Sequence, residues 1–258
     1  MALKLYGAPM STCTSRVLTC LHEKDLDFEL VLVDLFAGEH KQPPFLAKNP
    51  FGQIPALEDD DLTVFGFGLL IGKLIVGPTQ SMSSKVWLAV QTLNGVYVRC
   101  CEVSIIESRA ITSYVAEKFK ETGYDLTRHQ NIKEAALVKV WTEVESQQFH
   151  PAIAPIIFQF FVAPLQGNSP DQTIIDAKLE KLGKVLDIYE AKLTSTKYLA
   201  GDFYSLADLH HLPYAYYLMK TPAASVVNER PHVKAWWEDI STRPAFKKVA
   251  EGMNFGEK

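Results

Sequence analysis

Three side chains able to do chemistry stand in a row near the N-terminus: Ser11, Thr12 and Cys13, in "PMSTCTSRVLTCLHEKD". Val17, Leu18 and Leu21 follow them at helical spacing, which puts Ser11 and Thr12 where an N-cap belongs. A hydroxyl there bonds the first free amides of the helix, and the same end of the helix favours negative charge. A thiol at such a place is able to ionise and react. Cys13 lies just inside the helix start, and a packed, inert cysteine is the simpler reading of it.

Other groups carry less. Cys13, Cys20, Cys100 and Cys101 are too few and too badly spaced for a disulfide framework or a zinc site. They read as reduced thiols of a reducing compartment. His210 and His211 are adjacent on a helical stretch and cannot present one face to a metal. Ser205 with Asp208 three residues on is a capping box, a folding signal with no catalytic role. "GFGLLIGK" imitates two nucleotide motifs and satisfies neither: Phe67 and Leu74 break the Walker pattern, and Ile71 breaks the dinucleotide fingerprint. A net charge of −4 argues against a nucleic-acid partner. No stretch reaches the roughly 20 apolar residues that span a bilayer, and "MALKLYGAPMS" lacks a secretory pattern.

The elements that must position these residues follow from periodicity. "LKLYG" is a short strand ended by glycine, the helix after Ser11 comes next, and "FELVLVDL" is apolar enough for an internal strand. Strand, helix, strand suggests a parallel unit. "PALE" and "LTVF" flank the acidic turn Asp59-Asp60-Asp61 and read as a hairpin, with Pro55 a candidate cis-proline ahead of it. "ESRAITSYVAEKF" gives a helix over 107–119. From Asn131 the pattern is helical throughout. It comprises one long helix kinked by Pro151 and Pro155, another ending near Thr194, the helix opened by Ser205, and two short helices in "RPHVKAWWEDISTRPAFKKV".

"KLYGAPMS", "GEHK", "NPFGQIPALED" and "ESRAITSY" occur in this order, and together they resemble the plant phi-class glutathione S-transferases. The resemblance implies an α/β thioredoxin-like N-terminal domain over 1–120 and an all-α C-terminal domain over 131–258. It implies glutathione as co-substrate, no metal, conjugation of glutathione to small hydrophobic electrophiles, reduction of organic peroxides, and a detoxifying role in the cytosol. By that resemblance Ser11 is catalytic, its hydroxyl donating to the glutathione thiolate. His40 and Lys41 bind the glycyl carboxylate, Gln53, Ile54 and Pro55 pair with the cysteinyl part, and Glu107 and Ser108 take the γ-glutamyl end. Met10, Thr12, Leu35, Phe149 and Ile153 line the hydrophobic substrate pocket, and Phe51 is a contact of a homodimer.

One segment departs from the pattern. In the family Phe65 is followed directly by the glutamate of "ESRAI"; here the 41 residues Gly66–Ile106 intervene. They read as an insertion, either a translated intron or a surface loop, long and apolar for a loop. If it displaces Glu107 and Ser108, the chain becomes a non-catalytic ligand-binding variant. A third reading is a Cys13-dependent thiol transferase.

Overall fold

The computed structural model describes residues 3–60, 62–65, 98–99, 102–103 and 108–255. Contacts divide the chain into two compact units, Met1–Ala8 with Asp27–Ile111, and Pro9–Leu26 with Thr112–Lys258.

The first unit is built on a mixed sheet. β1 (Leu3–Gly7), β2 (Phe28–Leu32), β3 (Ala56–Asp59) and β4 (Leu62–Phe65) lie in the order β2-β1-β3-β4. α1 (Thr12–Glu23) connects β1 to β2, which run parallel with Leu5 opposite Leu30. β3 is antiparallel to β1, with Leu5 opposite Leu57, and turns tightly into β4. Asp60 takes φ 55° at that turn, a left-handed conformation that aspartate tolerates. Leu5 and Leu57 are wholly buried. Among the described residues β2 lies at the edge of the sheet rather than inside it as its apolar run suggests, and Leu32 is 68% exposed. Its parallel pairing uses one side only. A 3₁₀ turn at Glu39–Lys41 and α2 (Pro43–Leu46) follow, and the Ile54–Pro55 bond is cis. β5 (Val98–Arg99) and β6 (Glu102–Val103) form a short antiparallel pair. α3 (Ser108–Lys118) falls where "ESRAITSYVAEKF" places a helix.

The second unit is helical. α4 (Ile132–Val144) runs on into α5 (His150–Ile157) through a π turn at Glu145–Phe149, so the long helix read from the sequence is present, with its irregularity just ahead of Pro151. Pro151 lacks an amide, so one helical bond is missing there, and the π turn lies immediately before it. α6 (Gln172–Leu193) starts at the Asp171 cap and ends at Thr194. α7 (Leu206–Leu209) opens at the Ser205–Asp208 capping box. α8 (Leu212–Met219), α9 (Ser225–Asn228), α10 (Pro231–Ser241) and α11 (Pro244–Ala250) complete the unit. Its core centres on Tyr189, whose ring meets Trp141, Phe149, His211 and Trp236. Both adjacent histidines are core residues: His211 bonds Tyr189 Oη at 3.0 Å, and His210 bonds Thr112 Oγ1 at 2.8 Å. Among the described residues no helix is long and apolar enough to cross a membrane, and no side-chain group could hold a metal ion.

Candidate functional site

In the second unit, Ser11 is the N-cap of α1, with φ −74° and ψ 126°. Its oxygen accepts a long bond, 3.5 Å, from the Thr14 amide. Ser11 is half-buried, and because its hydroxyl only accepts in this cap its proton is available to donate. No acidic residue stands in the first turn to neutralise the positive end of the helix. The turn before Ser11 is tied down: Ser15 Oγ donates to the Pro9 carbonyl at 2.6 Å, and Tyr217 Oη donates to the Met10 carbonyl at 2.7 Å. Deeper in α1, Arg16 is fully buried, 3.5 Å from the Glu145 carboxylate and donating to the His210 carbonyl at 3.2 Å. α1 is therefore held rigidly behind its half-buried cap.

In the first unit, two loops converge around Gly52. Its φ is 58°, and an added Cβ would lie 2.6 Å from the His40 carbonyl oxygen, so only glycine fits. Lys41 Nζ donates to the Gly52 and Phe51 carbonyls at 2.7 and 3.1 Å. Asn49, itself buried, donates to the Gln53 carbonyl at 2.6 Å and accepts from the Phe51 amide at 3.0 Å. His40, Lys41 and Gln53 are thus brought into one loop cluster. Two polar atoms in it, His40 Nδ1 and Gln53 Oε1, are buried without a hydrogen-bond partner among the described residues. Such atoms cost about 1–3 kcal/mol each, a state expected where a ligand completes the set. Burial, reinforced by the Lys41 charge, holds the His40 imidazole below its ordinary pKa, so it is neutral at pH 7.

Ile54 is buried beside cis-Pro55, and Ser108 is buried at the start of α3. Glu107 lies outside the described residues, as does most of 66–106. Met10, Thr12 and Leu35 are half-buried, and Phe51 is 47% exposed. Phe149 and Ile153, expected to line a substrate pocket, are core residues at 2% and 0% exposure. Phe149 stacks with Tyr189 and lies 4.5 Å from the His211 ring, so packing accounts for it. Cys13 is 6% exposed, and Cys20 is fully buried, where desolvation pushes its thiol far up.

Residues 1–66 match the model of the glutathione S-transferase N-terminal domain, and residues 149–244 match that of the C-terminal domain. The chain is 52% identical to glutathione S-transferase F13 of Arabidopsis thaliana, over 98% of its own length and 97% of that protein. The chain belongs to the glutathione S-transferase family. As a phi-type member it is an enzyme, a transferase with a thioredoxin-like N-terminal fold. The crystal structure of glutathione transferase F7 from Populus trichocarpa is similar at 74% identity and a TM-score of 0.81, covering 98% of this chain and all of that one. Glutathione S-transferase I from maize, solved in complex with the atrazine glutathione conjugate, matches at 42% identity and a TM-score of 0.76, over 98% of both chains.

Two features of this family member escape sequence reading. Asn49 organises the Gln53 loop, and "KNPFG" carried a usable sign of it, since asparagine side chains commonly bond backbone two residues on. Tyr217 lies 207 residues from its partner Met10, and no local pattern marks such a pair.

Proposed function

We propose that the chain joins the sulfur of glutathione to small apolar electrophiles. The thiol loses its proton to solvent, and the thiolate attacks an electrophilic carbon. A carbon–sulfur bond forms as a leaving group departs, or as the electron pair moves onto a conjugated acceptor. Ser11 donates its hydroxyl proton to the sulfur as a hydrogen bond and does not itself become a nucleophile. His40 and Lys41 hold the glycyl carboxylate, and Gln53, Ile54 and Pro55 pair with the cysteinyl backbone. Glu107 and Ser108 take the γ-glutamyl end. Met10, Thr12 and Leu35 face the electrophile. The same thiolate reduces organic peroxides: its sulfur attacks the O–O bond and releases the alcohol, and a second glutathione converts the resulting sulfenic acid to glutathione disulfide and water. The enzyme acts in the cytosol as a homodimer, with Phe51 at the contact.

The observation that carries this reading is the weak cap: Ser11 starts an acid-free helix turn and accepts at only 3.5 Å. A thiol of pKa ~8.5 is about 3% ionised at pH 7. Lowering its pKa by an assumed ~2 units stabilises the anion by about 2.7 kcal/mol and raises the thiolate fraction about 25-fold. A Brønsted slope of roughly 0.4–0.5 gives back about 8-fold of that in nucleophilicity. Thiolate formation therefore contributes a small net factor, and holding the electrophile beside the sulfur contributes most of the rest. The buried thiol of Cys13 supports Ser11 over thiol transfer.

The test is retention of the native protein on immobilised glutathione, followed by conjugation of a chloronitroaromatic probe. Retention with turnover supports the reading. Failure to bind glutathione would favour the non-catalytic, insertion-disrupted variant.

A further inference from the structure

We propose that Tyr217 is a positioning residue for the Ser11 hydroxyl: its phenol, 2.7 Å from the Met10 carbonyl oxygen, fixes the peptide plane that carries Ser11. This rests on the catalytic reading of Ser11.

The peptide unit is planar, so the Met10 carbonyl cannot turn without moving the Ser11 amide and Cα. A hydrogen bond to that carbonyl therefore sets where the serine side chain begins. The preceding peptide is held as well, by Ser15 Oγ on the Pro9 carbonyl at 2.6 Å. Gly252 leaves room against Pro9, since a Cβ there would lie 2.8 Å from the proline Cβ. Ser15 lies on α1 itself and moves with it. Tyr217 lies on α8, so its bond refers the serine to a second helix.

The phenol is itself well placed for this. Its ring forms a three-ring cluster with Phe161 and Phe255, whose centroids are 5.1 and 4.9 Å away and 5.5 Å from each other, and meets Tyr216 at 5.8 Å. At 1% exposure Tyr217 has no surface to offer a substrate. Burial, then the neighbouring Tyr216, raises its pKa, so it remains a donor over the whole working pH range. Phe255, half-buried in the C-terminal tail, holds the ring from outside α8. Loss of the phenol frees the Met10 carbonyl to seek water and lets the serine shift.

The test is the titration of bound glutathione, followed by thiolate absorbance against pH, in the native enzyme and in Tyr217→Phe, Phe255→Leu and Ser11→Ala. Tyr217→Phe is expected to raise the midpoint by about one unit, from ~6.5 to ~7.5, roughly a threefold loss of thiolate at pH 7 and about tenfold below pH 6, with glutathione affinity within about twofold. Its kcat falls about threefold at about pH 5.5, where a ~tenfold loss of thiolate is partly offset by the gain in nucleophilicity, and recovers at neutral and high pH, a profile that lost packing alone would not give. Phe255→Leu, which keeps every hydrogen bond, shifts the midpoint in the same direction by less. A native midpoint in folded Tyr217→Phe, with Ser11→Ala shifted, overturns the positioning role and leaves the Ser11 reading intact. An unshifted Ser11→Ala removes both. If Tyr217→Phe does not fold, Phe255→Leu decides, and an unchanged midpoint there overturns the proposal.

Discussion

Arg243 grips Glu23 through two hydrogen bonds, Nε to Oε1 at 2.6 Å and Nη2 to Oε2 at 2.7 Å, across 220 residues of chain. The guanidinium also lies 3.8 Å from the Tyr204 ring centre and 4.7 Å from that of Tyr124. The pair ties the last residue of α1 to the cap of α11, at the end of the helix opposite Ser11. Arg243→Ala leaves a carboxylate of 6% exposure without its cation. The expected loss of stability is about 3 kcal/mol, read by denaturant unfolding. Arg243→Lys restores less than half, because an ammonium cannot make the paired bonds or stack between rings. Full rescue by lysine would show that charge alone matters there.

Asp208 sets a pH dependence of opposite sign to the usual carboxylate. Burial raises its pKa to about 6, although Leu199, Ser205 and Trp236 all donate to it. The folded state therefore holds the proton more tightly than the unfolded state, whose group titrates near 3.8. Its contribution is fully present below about pH 4 and is lost as pH rises through about 6, a change of about 3 kcal/mol. Asp208→Asn destabilises at every pH, since its amide must face donors. It also removes this term, so its stability rises more steeply from pH 4 to 7 than that of the native protein. Parallel curves would contradict the assignment.

Asn49→Ala strands the Gln53 carbonyl and the Phe51 amide, which Asn49 bonds at 2.6 and 3.0 Å. The Gln53 loop loosens while Ser11 is untouched. KM for glutathione is expected to rise about tenfold, the worth of one or two buried hydrogen bonds, with kcat within about threefold. Steady-state kinetics with glutathione varied would check this. A fall in kcat at unchanged KM would contradict it.

The elements were legible where local patterning agrees with tertiary demand. The β3–β4 hairpin follows from its acidic turn, α6 from its spacing up to Thr194, and α7 from the Ser205–Asp208 box. β2 misled because composition reports burial propensity, not how many neighbours a strand has; Leu32 is apolar and still on an edge. The π turn before Pro151 adds one residue to a helical turn, which periodicity smooths over. Phe149 reads equally well as pocket or core, since both are apolar, and only the Tyr189 and His211 rings place it in the core. Tyr217 was silent because its bond to Met10 exists only after folding.

Removing residues 66–106 joins Phe65 directly to Glu107. Each doubling of a loop costs only about 0.6 kcal/mol, so closure alone gives the deletion little advantage. Glutathione affinity by calorimetry is expected to stay within about threefold. A gain of tenfold or more on deletion would show that the segment holds Glu107 and Ser108 out of place.

The most direct measurement compares conjugation rates of Ser11→Ala and Cys13→Ser with the native enzyme at pH 6.5, with folding checked by circular dichroism. The serine donor accounts for the activity if Ser11→Ala loses roughly 100-fold or more in kcat/KM, as removal of one aimed donor does, while Cys13→Ser stays within about threefold. Native activity in Ser11→Ala, with loss in Cys13→Ser, would contradict it.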